Sequence, residues 1–147
     1  MKIFDCTLYY DEDLILDTRL NILNKYIDKF IICEATYTHS GRKKKLNFDI
    51  EKFPKFKDKI IYIIQDTEPK DIIYDDINEK VENPINWRAN AVKRISHQRN
   101  KLLDEVNKHA EMNDLILYSD NDEIPNLELH DISKEKSVVS VINKIYK

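Results

Sequence analysis

The chain has 147 residues and a mass of 17.6 kDa, enough for one compact domain with a sizeable core. Its 24 basic and 27 acidic side chains nearly balance, so the overall charge gives no argument for nucleic-acid binding. The only glycine is Gly41, whereas glycine-rich phosphate-binding loops of the Walker and dinucleotide-binding types need several. A nucleotide bound by this protein must therefore be held through a metal ion or through side chains.

Strands and helices alternate along the predicted chain. Residues 3–10 are rich in β-branched and aromatic side chains, which predicts a first strand. Apolar residues then recur at helical spacing from Leu16 to Ile27, behind an acidic first turn, which predicts a helix. The remaining predicted elements are strands at 30–33, 60–64, 115–118 and 138–142, an acidic loop at 66–86 and a helix at 87–110. This order is typical of an α/β fold around a mostly parallel sheet, which we interpret as one domain over residues 1–147.

No stretch of the sequence has the length and apolar character of a membrane span or a secretion signal. Acidic residues interrupt the N-terminus from Asp5 onward, and the apolar runs are about five residues long, as at 60–64. Cys6 and Cys33 lie inside apolar runs without the spacing of a metal or redox motif, so we expect two buried thiols. We therefore predict a cytoplasmic location.

The second predicted helix carries an arginine on its apolar stripe. Its apolar face is predicted from residues that recur at spacings of three and four, namely Val92, Ile95, Arg99, Leu102 and Val106. An unpaired guanidinium is rarely tolerated on such a face. Arg99 is therefore expected either to form a structural ion pair with an acidic loop, or to reach a bound phosphate or metal-binding carboxylates.

The most acidic strand end is at residues 119–125, where the strand 115–118 runs into Ser-Asp-Asn-Asp-Glu-Ile-Pro. Open α/β sheets bind ligands beyond the carboxyl ends of their strands. If the segment is extended, Asp120 and Asp122 point to the same side and can share one hard divalent cation. The alternative is an acidic turn that only closes the strand. The segment lacks the glycine of an EF-hand loop, and a phosphatase of the haloacid-dehalogenase type is a weak match because it needs an early nucleophilic aspartate.

A third polar cluster follows the second predicted strand, at residues 34–45. Glu34 ends the strand, Gly41 permits a tight turn, and a basic run follows at 42–45. The basic run either meets a diphosphate or an anionic acceptor, or is a solvated loop.

Taken in chain order, these three stretches resemble glycosyltransferase family 17, the N-acetylglucosaminyltransferases that include the bisecting enzyme acting on a β-linked mannose. The S-D-x-D-E-I-P motif of the family is matched at 119–125, its Q-R-N motif at 98–100, and its I-x-E-A-T-x-T-x-S-G motif at 32–41. A looser match at 12–21 ends in Arg-Leu-Asn. The resemblance covers approximately residues 3–125.

The resemblance implies a GT-A-like nucleotide-sugar-binding fold, a UDP-N-acetylglucosamine donor, Mn²⁺ or Mg²⁺, and transfer to a glycan hydroxyl with inversion. It implies a metal site at Asp120 and Asp122, and it implies nucleotide-sugar contacts from Glu34, Arg99, Ser119 and Asp120. The metal would neutralise charge as UDP departs, and a carboxylate would deprotonate the incoming hydroxyl. No residue of the sequence is assigned as that base.

Family members continue well past this motif, where the acceptor side and the catalytic base are expected, whereas this chain stops at Lys147. We therefore expect one of two functions. The first is a metal-dependent transferase that uses a UDP-sugar donor and a glycan or glycoconjugate acceptor. The second is a non-catalytic or truncated nucleotide-sugar-binding module that another chain completes. A sheet edge left open by a short C-terminus would also suit a homo-oligomer.

Overall fold

All four strands of the computed structural model, which describes residues 1–78 and 80–129, pair in one parallel sheet. The elements follow in the order β1 (Ile3–Tyr9), α1 (Asp13–Leu23), β2 (Lys29–Ala35), two short 3₁₀ helices (Ile50–Lys52 and Pro54–Phe56), β3 (Ile60–Gln65), α2 (Pro84–His109) and β4 (Leu115–Tyr118). The order across the sheet is β3-β2-β1-β4. The predicted α/β fold around a mostly parallel sheet is therefore confirmed, and the predicted strand at 138–142 lies outside the described residues.

Strand β2 is covered on both faces. Phe30 and Ile32 pack into one apolar cluster with the buried leucines of α1, whereas Ile31 and Cys33 pack into a second cluster with Leu102 and Val106 of α2. Successive side chains of a strand point to opposite faces, so a strand buried on both sides is a continuous apolar run rather than an alternating one. The sheet is thus the middle layer between the two helices.

Both cysteines are buried free thiols, as predicted. Cys6 and Cys33 belong to the cluster on the α2 side of the sheet. Burial raises the pKa of each thiol to about 12, so both stay protonated at neutral pH. Their contribution is therefore to packing.

The first half of α2 buries a different face from the one predicted. Val92 is 57% exposed, and the residues that the helix does bury are spaced by four: Asn90, Arg94, Gln98, Leu102 and Val106. The predicted stripe is correct at its last two positions, whereas Ile95 is only half-buried and Val92 and Arg99 are exposed. The reason is that the buried polar side chains carry hydrogen bonds: the Asn90 amide bonds both the N–H and the carbonyl of Ile73, and Gln98 Nε2 donates to the carbonyl of Cys33 at 2.9 Å.

Among residues 1–78 and 80–129, no helix combines the length and the apolar character needed to cross a bilayer. The cytoplasmic location stays a prediction.

Gly41 packs directly against one of these buried polar side chains. Its φ is 82°, in the left-handed region, and a Cβ built on it would lie 2.5 Å from Nη2 of Arg94. The Arg94 guanidinium has little room to retreat, because it forms ion pairs with Glu68 and Glu82 and donates to the carbonyl of His39.

We therefore expect Gly41→Ala to lower the free energy of unfolding by about 1–3 kcal/mol, through both the positive φ and the lost space. Urea unfolding of the variant beside Lys43→Ala, an exposed change in the same loop, measures the effect. A difference of less than about 0.5 kcal/mol between the two variants, the range of ordinary surface changes, would contradict the expectation.

Candidate functional site

The strand order creates a crevice between β1 and β4. From β1 the chain proceeds through β2 to β3 in one direction, and it then returns to place β4 on the other side of β1. Such a reversal is where open α/β sheets bind ligands, outside the carboxyl ends of the strands. A cavity of about 430 Å³ opens there. Its charged lining residues are Glu12, Lys44, Arg99, Asp120 and Asp122.

Residues 119–123, which we call the acidic turn, form a turn rather than the extended segment that the sequence predicts. The backbone N–H of Glu123 donates to the carbonyl of Asp120 at 3.0 Å. Asp120, Asn121 and Asp122 all line the cavity. The two aspartates therefore share one cavity wall as expected, but a turn and not strand alternation brings them together.

The acidic turn offers oxygen ligands of the kind that Mg²⁺ and Mn²⁺ prefer. Asp122 is exposed and has no hydrogen-bond or ion-pair partner among the described residues. Both side-chain amide atoms of Asn121 are buried without a partner, so the amide oxygen has capacity for a further contact. Nowhere in residues 1–78 and 80–129 do three or more His, Cys, Asp or Glu side chains form a group that could hold an ion. A cation at this turn would therefore complete its coordination with oxygens from a ligand and from water.

Arg99 lies beside the acidic turn. Its Nη2 is 3.2 Å from Oδ1 of Asp120, and its guanidinium carbon lies 5.2 Å from the centre of the Tyr118 ring. The Arg99 side chain is 44% exposed, so it borders the cavity rather than the apolar face where the helical pattern placed it. Arg99 thus pairs with an acidic loop, and that loop is the predicted metal-binding segment.

Glu34 lies behind the cavity wall, at the end of β2, and it is fully buried. Its carboxylate accepts hydrogen bonds from the backbone N–H groups of Asn47 and Phe48, at 2.8 and 3.1 Å, and from the hydroxyl of Tyr62 at 2.8 Å. It also forms an ion pair with Lys44, which does line the cavity. Glu34 thus holds the loop after β2 in place, and its ion pair fixes Lys44 at the cavity wall.

Ser119 also lies behind the wall, where it ties the acidic turn together. Its hydroxyl donates to the carbonyl of Glu123 at 2.8 Å and accepts a hydrogen bond from Nη2 of Arg19 at 2.7 Å.

The buried ion pair between Asp5 and Arg19 is the main feature of the site that the sequence pattern did not reveal. Nε and Nη2 of Arg19 each donate to one oxygen of Asp5, both at 2.8 Å. Two signals in the sequence could have indicated it: Asp5 interrupts an apolar strand, and Arg19 lies between Leu16 and Leu20 on the buried stripe of α1.

Glu12 and His39 also line the cavity, and the sequence pattern assigns neither of them a role in the site. The Glu12 carboxylate accepts hydrogen bonds from the N–H groups of Tyr10 and Asp11, at 2.9 and 3.2 Å. Burial lowers the pKa of the His39 imidazole below its ordinary value, so this side chain is neutral at pH 7.

Comparison with protein-family models matches residues 1–141 to Glycosyltransferase family 17. The matched span contains the acidic turn, Arg99 and Glu34. No curated protein and no solved structure matches the chain.

Proposed function

The chain belongs to glycosyltransferase family 17, and from that premise we propose that it transfers N-acetylglucosamine from a UDP-sugar donor to a hydroxyl of a glycan or glycoconjugate, with inversion. The transfer depends on Mn²⁺ or Mg²⁺. The observation that carries the proposal is the acidic turn, which supplies two aspartates to a cavity of about 430 Å³ at the switch point of a parallel sheet. This arrangement suits the GT-A-like donor site that the sequence resemblance implies.

In this proposal the diphosphate of the donor binds over the acidic turn. Asp120 and Asp122 would hold the cation, which when bound would neutralise the negative charge that builds up on the leaving UDP. Arg99 already lies 3.2 Å from Asp120, so its guanidinium is in reach of a phosphate oxygen held beside that carboxylate. Lys44 adds a second cationic group to the wall.

The incoming acceptor hydroxyl must lose a proton as it attacks the sugar. Besides the two aspartates, the cavity wall holds two groups that can accept that proton, the Glu12 carboxylate and the neutral imidazole of His39. Backbone N–H groups orient the Glu12 carboxylate.

We expect UDP-N-acetylglucosamine to raise the melting temperature of the protein when Mn²⁺ is present and to leave it unchanged in EDTA. A ligand that binds only the folded state at a hundredfold excess over its Kd stabilises that state by about 2.7 kcal/mol. Thermal unfolding with donor and Mn²⁺, each alone and together, measures this. A shift of the same size in EDTA would contradict the role of the metal.

A further inference from the structure

Arg19 connects three parts of the fold beneath the cavity. It belongs to α1, its side chain is 0% exposed, and its bidentate ion pair reaches Asp5 on β1. The rest of its guanidinium bonds the acidic turn. Nη1 donates to the carbonyls of Asp120 at 2.9 Å and Glu123 at 3.2 Å, with a longer contact of 3.4 Å to the carbonyl of Asn121.

These contacts use the full donor capacity of the guanidinium, which has five N–H groups in a planar fork. Nη2 divides its donors between Asp5 and the Ser119 hydroxyl, and the carbonyls of the turn converge on Nη1. Arg19 therefore holds residues at both ends of the turn from the side of the protein interior, while Asp120 and Asp122 line the cavity.

A buried ion pair is not needed for stability as such, because well-packed apolar side chains of similar volume often replace one at no cost. What apolar side chains cannot supply is a set of donors for the inward-facing carbonyls of a turn. The arrangement corresponds to the outer shell of metal sites, where groups behind the ligands fix ligand orientation.

We propose that Arg19, oriented by Asp5, is the positioning residue that holds the acidic turn in its cation-binding conformation. This inference rests on the proposed function, in which Asp120 and Asp122 hold the metal. Arg19 touches neither donor nor acceptor and acts only through the backbone carbonyls and the Ser119 hydroxyl of the acidic turn.

Arg19→Lys separates the geometry of the side chain from its charge. Lysine keeps a positive group opposite Asp5, but it is a point donor that cannot bond the carboxylate, the Ser119 hydroxyl and two carbonyls at once. We expect Mn²⁺ binding in the presence of UDP to weaken by about ten- to a hundredfold, the range found for outer-shell changes.

Two measurements test the inference on the full chain. Electron paramagnetic resonance of free Mn²⁺, titrated in the presence of UDP, gives the metal affinity. Hydrogen–deuterium exchange of a peptide that spans residues 117–125 reports the turn itself, with no metal present, and we expect Arg19→Lys to speed that exchange.

The matched control is Arg94→Lys. Arg94 is the other fully buried arginine of the described residues, and it is likewise held by ion pairs. Its bonds go to Glu68, Glu82 and the carbonyl of His39, and none goes to the acidic turn. A second test variant, Ser119→Ala, removes one acceptor of Arg19 together with the hydroxyl's own bond to the carbonyl of Glu123, and it leaves the buried charge pair in place. This variant replaces Arg19→Lys in the test if Arg19→Lys fails to fold. We expect it to speed exchange in the same peptide and to lower the Mn²⁺ affinity severalfold, which is less than the loss expected for Arg19→Lys.

The outcomes are distinguishable. Weaker Mn²⁺ binding and faster exchange in Arg19→Lys, with Arg94→Lys like the wild type, support the inference. Unchanged affinity and exchange in Arg19→Lys overturn it and leave the proposed function standing. Equal losses in both lysine variants also overturn it, because they indicate general loosening. If the wild-type protein itself does not bind Mn²⁺ with UDP, the proposed function fails and the inference fails with it.

Discussion

Asp122→Asn is expected to lower the rate of sugar transfer by at least about a hundredfold. A loss of this size follows when a group that stabilises the charge of a transition state by several kcal/mol is removed. The free energy of unfolding should stay within about 0.5 kcal/mol of the wild type. Both expectations come from one observation: Asp122 is an exposed carboxylate on the cavity wall with no partner among the described residues. Its loss removes a proposed metal ligand and no contact of the fold.

Release of UDP in the presence of Mn²⁺, donor and a panel of acceptor sugars measures the rate, and urea unfolding measures the stability. Glu123→Gln is the matched control, since it removes the same charge from the same turn. The Glu123 carboxylate does not line the cavity and instead accepts a hydrogen bond from the backbone N–H of Asp120. A much smaller loss is expected there. Equal rates for Asp122→Asn and the wild type would remove Asp122 from the site. Donor binding without UDP release on any acceptor would favour the non-catalytic module.

The strands were predictable from local pattern because each is a short run of β-branched, aromatic and other apolar residues, whether one face or both are buried. Leu115–Tyr118 has the predicted bounds. β2 is longer than its predicted run because Lys29 and Glu34 continue its pairing with β1 and Ala35 continues its pairing with β3. The position of the site was predictable for a related reason. Parallel strands end together at one edge, so the acidic segment after β4 had to lie near the end of β1.

The contacts that shape the site were not predictable, because they join residues far apart in the sequence. Arg19 pairs with a carboxylate 14 positions away and bonds a hydroxyl 100 positions away. On α2, buried polar residues at intervals of four have the periodicity of a solvent-facing stripe, and only their partners on other segments explain the burial of Arg94 and Gln98. Periodicity reports which side chains share a face, whereas the partner decides whether a polar face can be buried.

Asp5→Ala is expected to lower the free energy of unfolding by about 3–5 kcal/mol, the cost of leaving one member of a buried ion pair uncompensated. Both side chains of the pair are at most 1% exposed, so water cannot replace the lost carboxylate. Arg19 would lose the carboxylate that orients its guanidinium and would carry its positive charge without a counter-charge.

Pairing this change with an apolar replacement of the arginine separates the charge effect from the lost contacts. The double variant Asp5→Leu with Arg19→Met removes both charges and fills the space, so we expect it to recover most of the stability lost in Asp5→Ala. It should not recover Mn²⁺ binding, because the carbonyls of the acidic turn would still lack donors. Glu51→Ala, which breaks an exposed ion pair with Lys57, should cost less than about 1 kcal/mol in the same urea titration. If Asp5→Ala costs no more than this control, the buried pair does not stabilise the fold, and a double variant that binds Mn²⁺ normally would show that the turn holds its shape without Arg19.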